Sequence, residues 1–337
     1  MVFFISIALV LGVVFVNGWT DAPNAIGTAV GTRVLTPRAA IIIGVIFNFL
    51  GVILMTLISP VVAETISKMV SFESINPGEP LIALCAAMIA IVTWATVAWY
   101  FGIPTSESHA LIAGITGSAL AVGGLGAINM DAWILVLFGL GLSSVLGYGG
   151  GYAISKIIMV LFKNARRQSV GGFFIKGEAG AAGAMAFLHG AQDGQKFIGV
   201  FMLAMFLNDM AVKNAQGTFD IPFWVMALCS IVMGVGTGVG GWRIIKTIGV
   251  DMVKMEPYQA FASDLAASGC LLLASLTGMP VSTTHTKTTA IMGVGAARRR
   301  SSVDWGIVRE MLTAWVLTFP GCGLIGFVFT KIFIAIF

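Results

Sequence analysis

Charge is the scarcest property of this chain: Asp, Glu, Lys and Arg together make up 10% of its 337 residues, and only three residues are histidine. With 58% apolar residues and a mean hydropathy of +0.96, a water-soluble domain is excluded. Cysteine is equally sparse. Cys85, Cys229, Cys270 and Cys322 have neither paired nor metal-type spacing, so they read as packing residues in apolar helices. A Walker A sequence is also lacking, because Gly190-Ala191-Gln192-Asp193-Gly194-Gln195-Lys196 has the wrong spacing and no Ser or Thr after its lysine. ATP hydrolysis is therefore excluded as the energy source within this chain. The longest strongly polar connection is the short Lys163 to Gly172 stretch, which leaves no room for a separate soluble domain. The first 20 residues lack a basic start and a small-residue cleavage site, so they are expected to remain as a first helix. The net charge of +4 is small for this length, and no nucleic-acid partner is expected.

What the chain has is long apolar runs. Residues 1–20, 39–63, 80–106, 132–155, 221–242 and 311–330 carry no charge. About 20 such residues at a rise of about 1.5 Å cross a hydrocarbon core. The fold class expected is all-α, a polytopic integral membrane protein in the lipid bilayer. Many of the 42 glycines fall inside these runs, as in Gly147 to Gly151 and Gly234 to Gly241, where they let helix backbones approach or break. Basic residues favour the cytoplasmic side. They cluster at Arg33 and Arg38, at Lys163, Arg166 and Arg167, at Arg243, Lys246 and Lys254, and at Arg298 to Arg300. Stretches with Glu64, Glu73 and Glu79, and with Asp209 and Asp220, suit the outside. This distribution predicts a multi-pass protein of the cell membrane with both termini outside and five crossings in each half. Residues 60–79 fit either an external loop or a surface helix.

The chain also contains itself twice. Gly102-Ile103-Pro104-Thr105-Ser106-Glu107-Ser108-His109 returns as Gly278-Met279-Pro280-Val281-Ser282-Thr283-Thr284-His285. Asn17-Gly18-Trp19-Thr20-Asp21 matches His189-Gly190-Ala191-Gln192-Asp193, and Glu79-Pro80 matches Glu256-Pro257. The offsets are nearly constant, so one duplication explains all of them. It divides the chain into a first transmembrane repeat, 1–165, and a second, 166–337. An odd number of crossings per half inverts the second repeat relative to the first, giving two inverted-topology repeats with broken helices and two hairpin-type segments. In a membrane protein, that arrangement points to a transporter with its site between the repeats.

The chemistry lies in polar groups stranded among apolar ones. Asp21 follows an apolar helix and precedes Pro23, which removes a backbone donor and should break the helix there. Freed carbonyls beside a carboxylate make an oxygen site for a small cation, to which Asn24, Thr28 and Thr32 could add. An N-cap at the membrane surface is the plainer reading of Asp21. The second copy reads Asp193-Gly194-Gln195-Lys196. Lys196 is a fixed charge for an anion, a tethered substitute for a bound cation, or an ion-pair partner of Asp193. His189 and Gln195 stand close enough to complete a network. In the Pro-Ser-His segments, a proline at the first helical position suits a helix N-terminus, whose free N–H groups attract phosphate-like anions. Thr105, Ser106, Ser108, Ser282, Thr283 and Thr284 can donate to the oxygens of a tetrahedral anion, or bond to the preceding turn of their own helix. His109 and His285 either relay protons or hydrogen-bond in neutral form.

The strings Asn17-Gly-Trp-Thr-Asp21-Ala-Pro-Asn24-Ala-Ile-Gly27-Thr, Pro104-Thr-Ser-Glu-Ser-His109, His189-Gly-Ala-Gln-Asp193-Gly-Gln-Lys196 and Pro280-Val-Ser-Thr-Thr-His285 together resemble the paired signatures of the inorganic phosphate transporter (PiT) family, in particular bacterial low-affinity phosphate permeases. The resemblance implies secondary active import of inorganic phosphate by an all-helical protein with inverted repeats, often a homodimer, and no enzyme activity. It implies that Asp21, Asn24, Asp193, Lys196, Ser106, Ser282, Thr283 and Thr284 line the phosphate and cation sites. With the residues' own chemistry added, the expected substrate ligands are Thr105, Ser106, Ser108, Ser282, Thr283, Thr284, Lys196 and Asn24, and a coupling cation, Na+ or H+, is expected at Asp21, Asp193, Asn24 and Gln195; if the ion is Na+, Asp21 and Asp193 are its metal ligands. No other cofactor is implied. Lys196 stands where sodium-coupled relatives commonly have Asn, which is more similar to the proton-coupled branch. Asp264 falls where relatives tend to have an acid, and with His109 and His285 it is a candidate for coupling; it could instead be a buried partner of Lys287.

The mechanism expected is symport by alternating access, with cations cancelling the carboxylate charge that would repel the anion. A sulfate or related oxyanion permease would carry the same hydroxyl clusters. An intramembrane enzyme acting on a phosphorylated lipid would need acids clustered at metal-ligand spacing in one loop, and Asp21 and Asp193 are single and symmetrically placed.

Overall fold

The computed structural model of the chain describes residues 2–71, 76, 78–215 and 217–337. Among the described residues every named element is helical, and only isolated bridges stand for β structure. The first half contains α1 (Val2–Thr20), α2 (Pro23–Gly31), α3 (Pro37–Ile58), α4 (Val61–Ser67), α5 (Glu79–Phe101), α6 (Glu107–Gly123) and α7 (Met130–Leu161). The second contains α8 (Arg167–His189), α9 (Gln195–Phe206), α10 (Phe223–Val239), α11 (Trp242–Lys246), α12 (Pro257–Thr277), α13 (Thr283–Arg298) and α14 (Trp305–Ile336). The series match in order: interrupted helix, long helix, short helix, hairpin of two helices, and a closing helix of 32 residues in each half.

Among the described residues, seven helical stretches are long and apolar enough to cross a membrane, and α10 with α11 and its π-helical extension to Asp251 adds an eighth, bent by 66° at Gly240 and Gly241. The protein is thus a multi-pass membrane protein. The ten crossings anticipated from charge would also need α8–α9 and α13. These two fall short because α8 carries Lys176 and Glu178 and α13 has only 16 residues, Lys287 among them. The polar stretch from Lys163 to Gly172 is a loop only as far as Arg166. Helix resumes at Arg167 because Phe174 is buried in a cluster with Ile158, Phe162, Tyr258 and Phe261, which anchors the first turns of α8. Of the doubtful stretch 60–79, residues Val61–Ser67 form α4; Glu73, used to place that stretch outside, lies beyond the described residues.

Packing interlocks the two halves. α7 packs on α13 and α14 on α6, so each half supplies the long helix that covers the other half's hairpin. Likewise α1 packs on α10 and α3 on α8, and α4 lies on α9 as α11 lies on α2. Close approach relies on glycine. A Cβ on Gly147 or Gly151 of α7 would run into the carbonyl oxygens of Thr286 and Ala290 on α13, so this four-residue spacing of glycines makes a backbone-to-backbone contact. A similar contact joins Gly190 to the backbone of Asn48, bringing α3 against the Asp193 turn.

Candidate functional site

Both aspartates sit on irregular turns, and the irregularities differ. Pro23 has no N–H for the carbonyl of Trp19, and the amides of Asp21 and Ala22 both donate to Asn17 O, at 2.9 and 3.2 Å. Ala22 nevertheless keeps right-handed helical angles, and Val2–Gly31 runs on as one span. The break expected at Pro23 is therefore an interrupted turn within a continuing helix. The second copy has no proline and reaches a similar result with a π turn at Gly190–Gly194.

The two hairpins turn at Gly102 and Gly278, whose left-handed φ of 70° and 71° ends α5 and α12 without the steric cost of a Cβ. The helices that follow do not begin at the prolines. Ser106 and Ser282 are the N-caps, each Oγ accepting from the backbone N–H of His109 (3.2 Å) or His285 (3.1 Å). Proline stands two residues earlier, in the extended entry, because the serine cap and not the proline fixes the first turn.

These four segments converge on one buried cluster. Thr283 Oγ1 donates within reach of both aspartates, at 3.3 Å from Asp21 Oδ2 and 3.2 Å from Asp193 Oδ2. Asn17 Nδ2 donates to Asp193 Oδ2 at 3.1 Å, and His189 Nε2 lies 3.4 Å from the same oxygen and 4.0 Å from Asp21 Oδ2. His189 is oriented from behind by Asn48, whose Oδ1 is 2.9 Å from Nδ1. One ligand atom each from Asp21, His189 and Asp193 lie within 4.8 Å of one another, and all three residues are buried. The contacts cross between halves in matching fashion. Asn24 bonds to Asp21 and, at 3.1 Å, to Thr284; its counterpart Lys196 bonds to Asp193 and to Ser108, both at 2.6 Å. Thr284 also donates to Asp21.

Lys196 is the most constrained group in the cluster. Its ammonium donates to three oxygens: Asp193 Oδ1 and Ser108 Oγ at 2.6 Å each and Val281 O at 2.5 Å, with the side chain wholly buried. A carboxylate, a hydroxyl and a carbonyl are what a small hard cation takes from a protein. Lys196 therefore pairs with Asp193, and does so from within an oxygen cage.

A profile of the phosphate transporter family matches residues 17–326, from the first motif through the last. The chain belongs to the phosphate transporter family. Two curated relatives, each a probable low-affinity inorganic phosphate transporter, resemble it over nearly their whole length. That of Bacillus subtilis is 35% identical over 93% of this chain and 91% of its own, and that of Rhizobium meliloti is 36% identical over 95% and 92%. A solved structure titled "The sodium-dependent phosphate transporter" superposes over all of both chains with a TM-score of 0.88 at 23% identity, which shows a shared fold. Members of this family are transporters, not enzymes.

Among the described residues of this phosphate transporter family member, the cluster gathers Asp21, Asn24, Asp193, Lys196, Ser108, Thr283 and Thr284. Ser106 and Ser282 border it as caps. Thr105 is half-buried and joins none of these bonds. Gln195 points elsewhere, donating to Ser59 O at 2.9 Å. His109 and His285 pack on each other, ring centroids 4.1 Å apart, and His285 stacks on Trp315 at 3.5 Å, so aromatic packing holds them apart from the carboxylates. Asp264 pairs with Lys287, one turn beyond Thr284 on α13. Glu107 is a further member that the sequence pattern does not single out. It is buried at the position equivalent to Thr283, accepts from Thr20 Oγ1, and leaves Oε2 without a partner. Its place inside the repeated octad was the available signal. Asn24 turns its amide nitrogen to Asp21 and Asn17 turns its own to Asp193, and the buried Oδ1 of each is left without a hydrogen-bond partner; such oxygens could serve a hard cation.

Proposed function

We propose that the chain imports inorganic phosphate across the cell membrane by symport with a cation, through alternating access. The reading rests on one observation above all: two buried carboxylates from the two motif copies face each other across Thr283, and only one has a built-in counter-charge. An anion cannot enter beside an uncompensated carboxylate in a low-dielectric site. Lys196 supplies the cation at Asp193 permanently, and a cation from solution supplies it at Asp21, through the carboxylate and the unpartnered Oδ1 of the adjoining Asn24. Phosphate then takes the hydroxyls of Ser108, Thr283 and Thr284 at the starts of α6 and α13. Residues 1–165 and 166–337 act as inverted repeats whose relative rocking exposes the site to either side, with the basic ends in the cytoplasm and both termini outside. A homodimer is the expected assembly. The family resemblance and the crossed pairing of the halves support this reading.

Radiolabelled phosphate uptake into proteoliposomes tests it, with an inward sodium gradient compared with an inward proton gradient, each with and without excess sulfate. Uptake driven by one gradient and indifferent to sulfate is the expected result, and the gradient that works names the ion. Inhibition by sulfate would widen the substrate to tetrahedral oxyanions. Uptake that ignores both gradients would end the symport reading.

A further inference from the structure

A second buried polar cluster lies along the same two helices, away from the phosphate site. Thr28 is seven residues past Asp21 on the Val2–Gly31 span, roughly 10 Å along the axis, and Lys287 is three past Thr284, roughly 5 Å along α13. Lys287 donates to Asp264 on α12 and, at 2.9 Å, to Thr28 Oγ1. Thr28 Oγ1 is 3.1 Å from Asp264 Oδ1, and so is Ser263 Oγ. α8 packs on α12 and on α2, with Gly177 against the Phe261 ring one turn before Asp264, and this contact turns the neighbouring Glu178 toward Asp264, Lys287 and Thr28. Glu178 is fully buried, and neither of its oxygens has a hydrogen-bond partner of good geometry.

The charges do not balance. Two carboxylates against one ammonium leave one negative charge in a buried site, and Lys287 is already committed to Asp264. An isolated buried carboxylate is held so unfavourably that it takes up a proton instead. Other charged groups on the elements packed around it do not relieve it: Lys176 and Lys156 are exposed, Arg38 is exposed at the start of α3, Glu256 is matched with Arg298 at 3.4 Å, and His285 is stacked on Trp315.

We propose that Glu178 and Asp264, held by Lys287, form a proton-binding site that holds one proton between them and is coupled to phosphate through α2 and α13. The chemistry is a single protonation: one carboxylate oxygen accepts a proton from the aqueous side, and no other bond changes. Coupling follows from rigidity, because α2 carries both Asn24 and Thr28 and α13 carries both Thr284 and Lys287, so a shift of either helix at one cluster moves a ligand of the other. The coupling, though not the proton itself, rests on the phosphate-transport reading.

Infrared difference spectroscopy of the purified protein in liposomes tests this through the carbonyl stretch of a protonated carboxyl. Beside the band of Glu107, which is also buried with an unpartnered oxygen, the wild type should show a component at neutral pH that is lost in Glu178→Gln and kept in Glu107→Gln. It should also be lost in Asp264→Asn, where Glu178 becomes the ionised partner of Lys287. Lys287→Met should gain a second protonated component, because both acids then lack a counter-charge. Adding inorganic phosphate to the wild type should perturb the band. A wild type without the component, or a band untouched by Glu178→Gln, overturns the proton site, whether or not phosphate is transported. A band that phosphate leaves unchanged overturns the coupling. Failure of phosphate uptake with the band intact would instead count against the transport reading alone.

Discussion

Lys196 is the residue on which the ion count turns. Methionine at this position removes a buried charge from a pair and strands Asp193, a change that costs about 3–5 kcal/mol. Lys196→Met is therefore expected to lower the thermal unfolding midpoint in detergent and to abolish phosphate uptake. Lys196→Asn has a different outcome, because asparagine recreates the Asp21–Asn24 arrangement in the second half. Its uptake should depend more steeply on external sodium than that of the wild type, and an unchanged dependence would argue against a tethered cation. Thr283 bridges the two aspartates, and a hydrogen bond to a charged group contributes about 1.5–3 kcal/mol. Thr283→Val should weaken phosphate binding by roughly 10- to 100-fold, measured by equilibrium binding of labelled phosphate.

At the scale of elements, the decisive contacts are between backbones. Gly151 lets α7 lie against the carbonyl of Ala290, and overpacking such a contact costs about 1–3 kcal/mol or more. Gly151→Leu is expected to reduce the yield of folded protein, whereas leucine at Gly149, where an added Cβ meets nothing, should be tolerated. Comparative thermal stability in detergent checks the pair. The same elements show what periodicity conveys and what it leaves out. The apolar runs announced α1, α3, α5, α7, α10 and α14, because lipid selects for continuous hydrophobicity. The start of α8 is not legible in its polar first turns, because they are held by Phe174 packing on Tyr258 and Phe261, which are distant in sequence.

At the scale of the whole molecule, the proposed orientation is open to a direct check. All four native cysteines are buried, so cysteines introduced singly report on sidedness with little background. Cysteines placed at Leu125 and at Val212 should react with an impermeant maleimide from outside intact cells. Those at Ser301 and Asn164 should react only after permeabilisation. Labelling of Ser301 from outside would reverse the topology. The interlocking of α7 with α13 and of α14 with α6 further implies that neither half of the chain is a separable folding unit.

The sequence by itself determined the membrane class, the family, and the repeated strings that carry Asp21, Asp193, Lys196 and the hydroxyl segments. Each of these is written in composition or in repeated local strings. Tertiary structure decided which partner each residue meets. That Asn24 reaches Thr284 and Lys196 reaches Ser108, that Gln195 turns to Ser59, that the histidines stack on Trp315 and one another, and that Glu107 and Glu178 end in polar clusters all depend on how helices from opposite halves cross. Such crossings are set by small-residue contacts between distant segments, and no local pattern encodes their register.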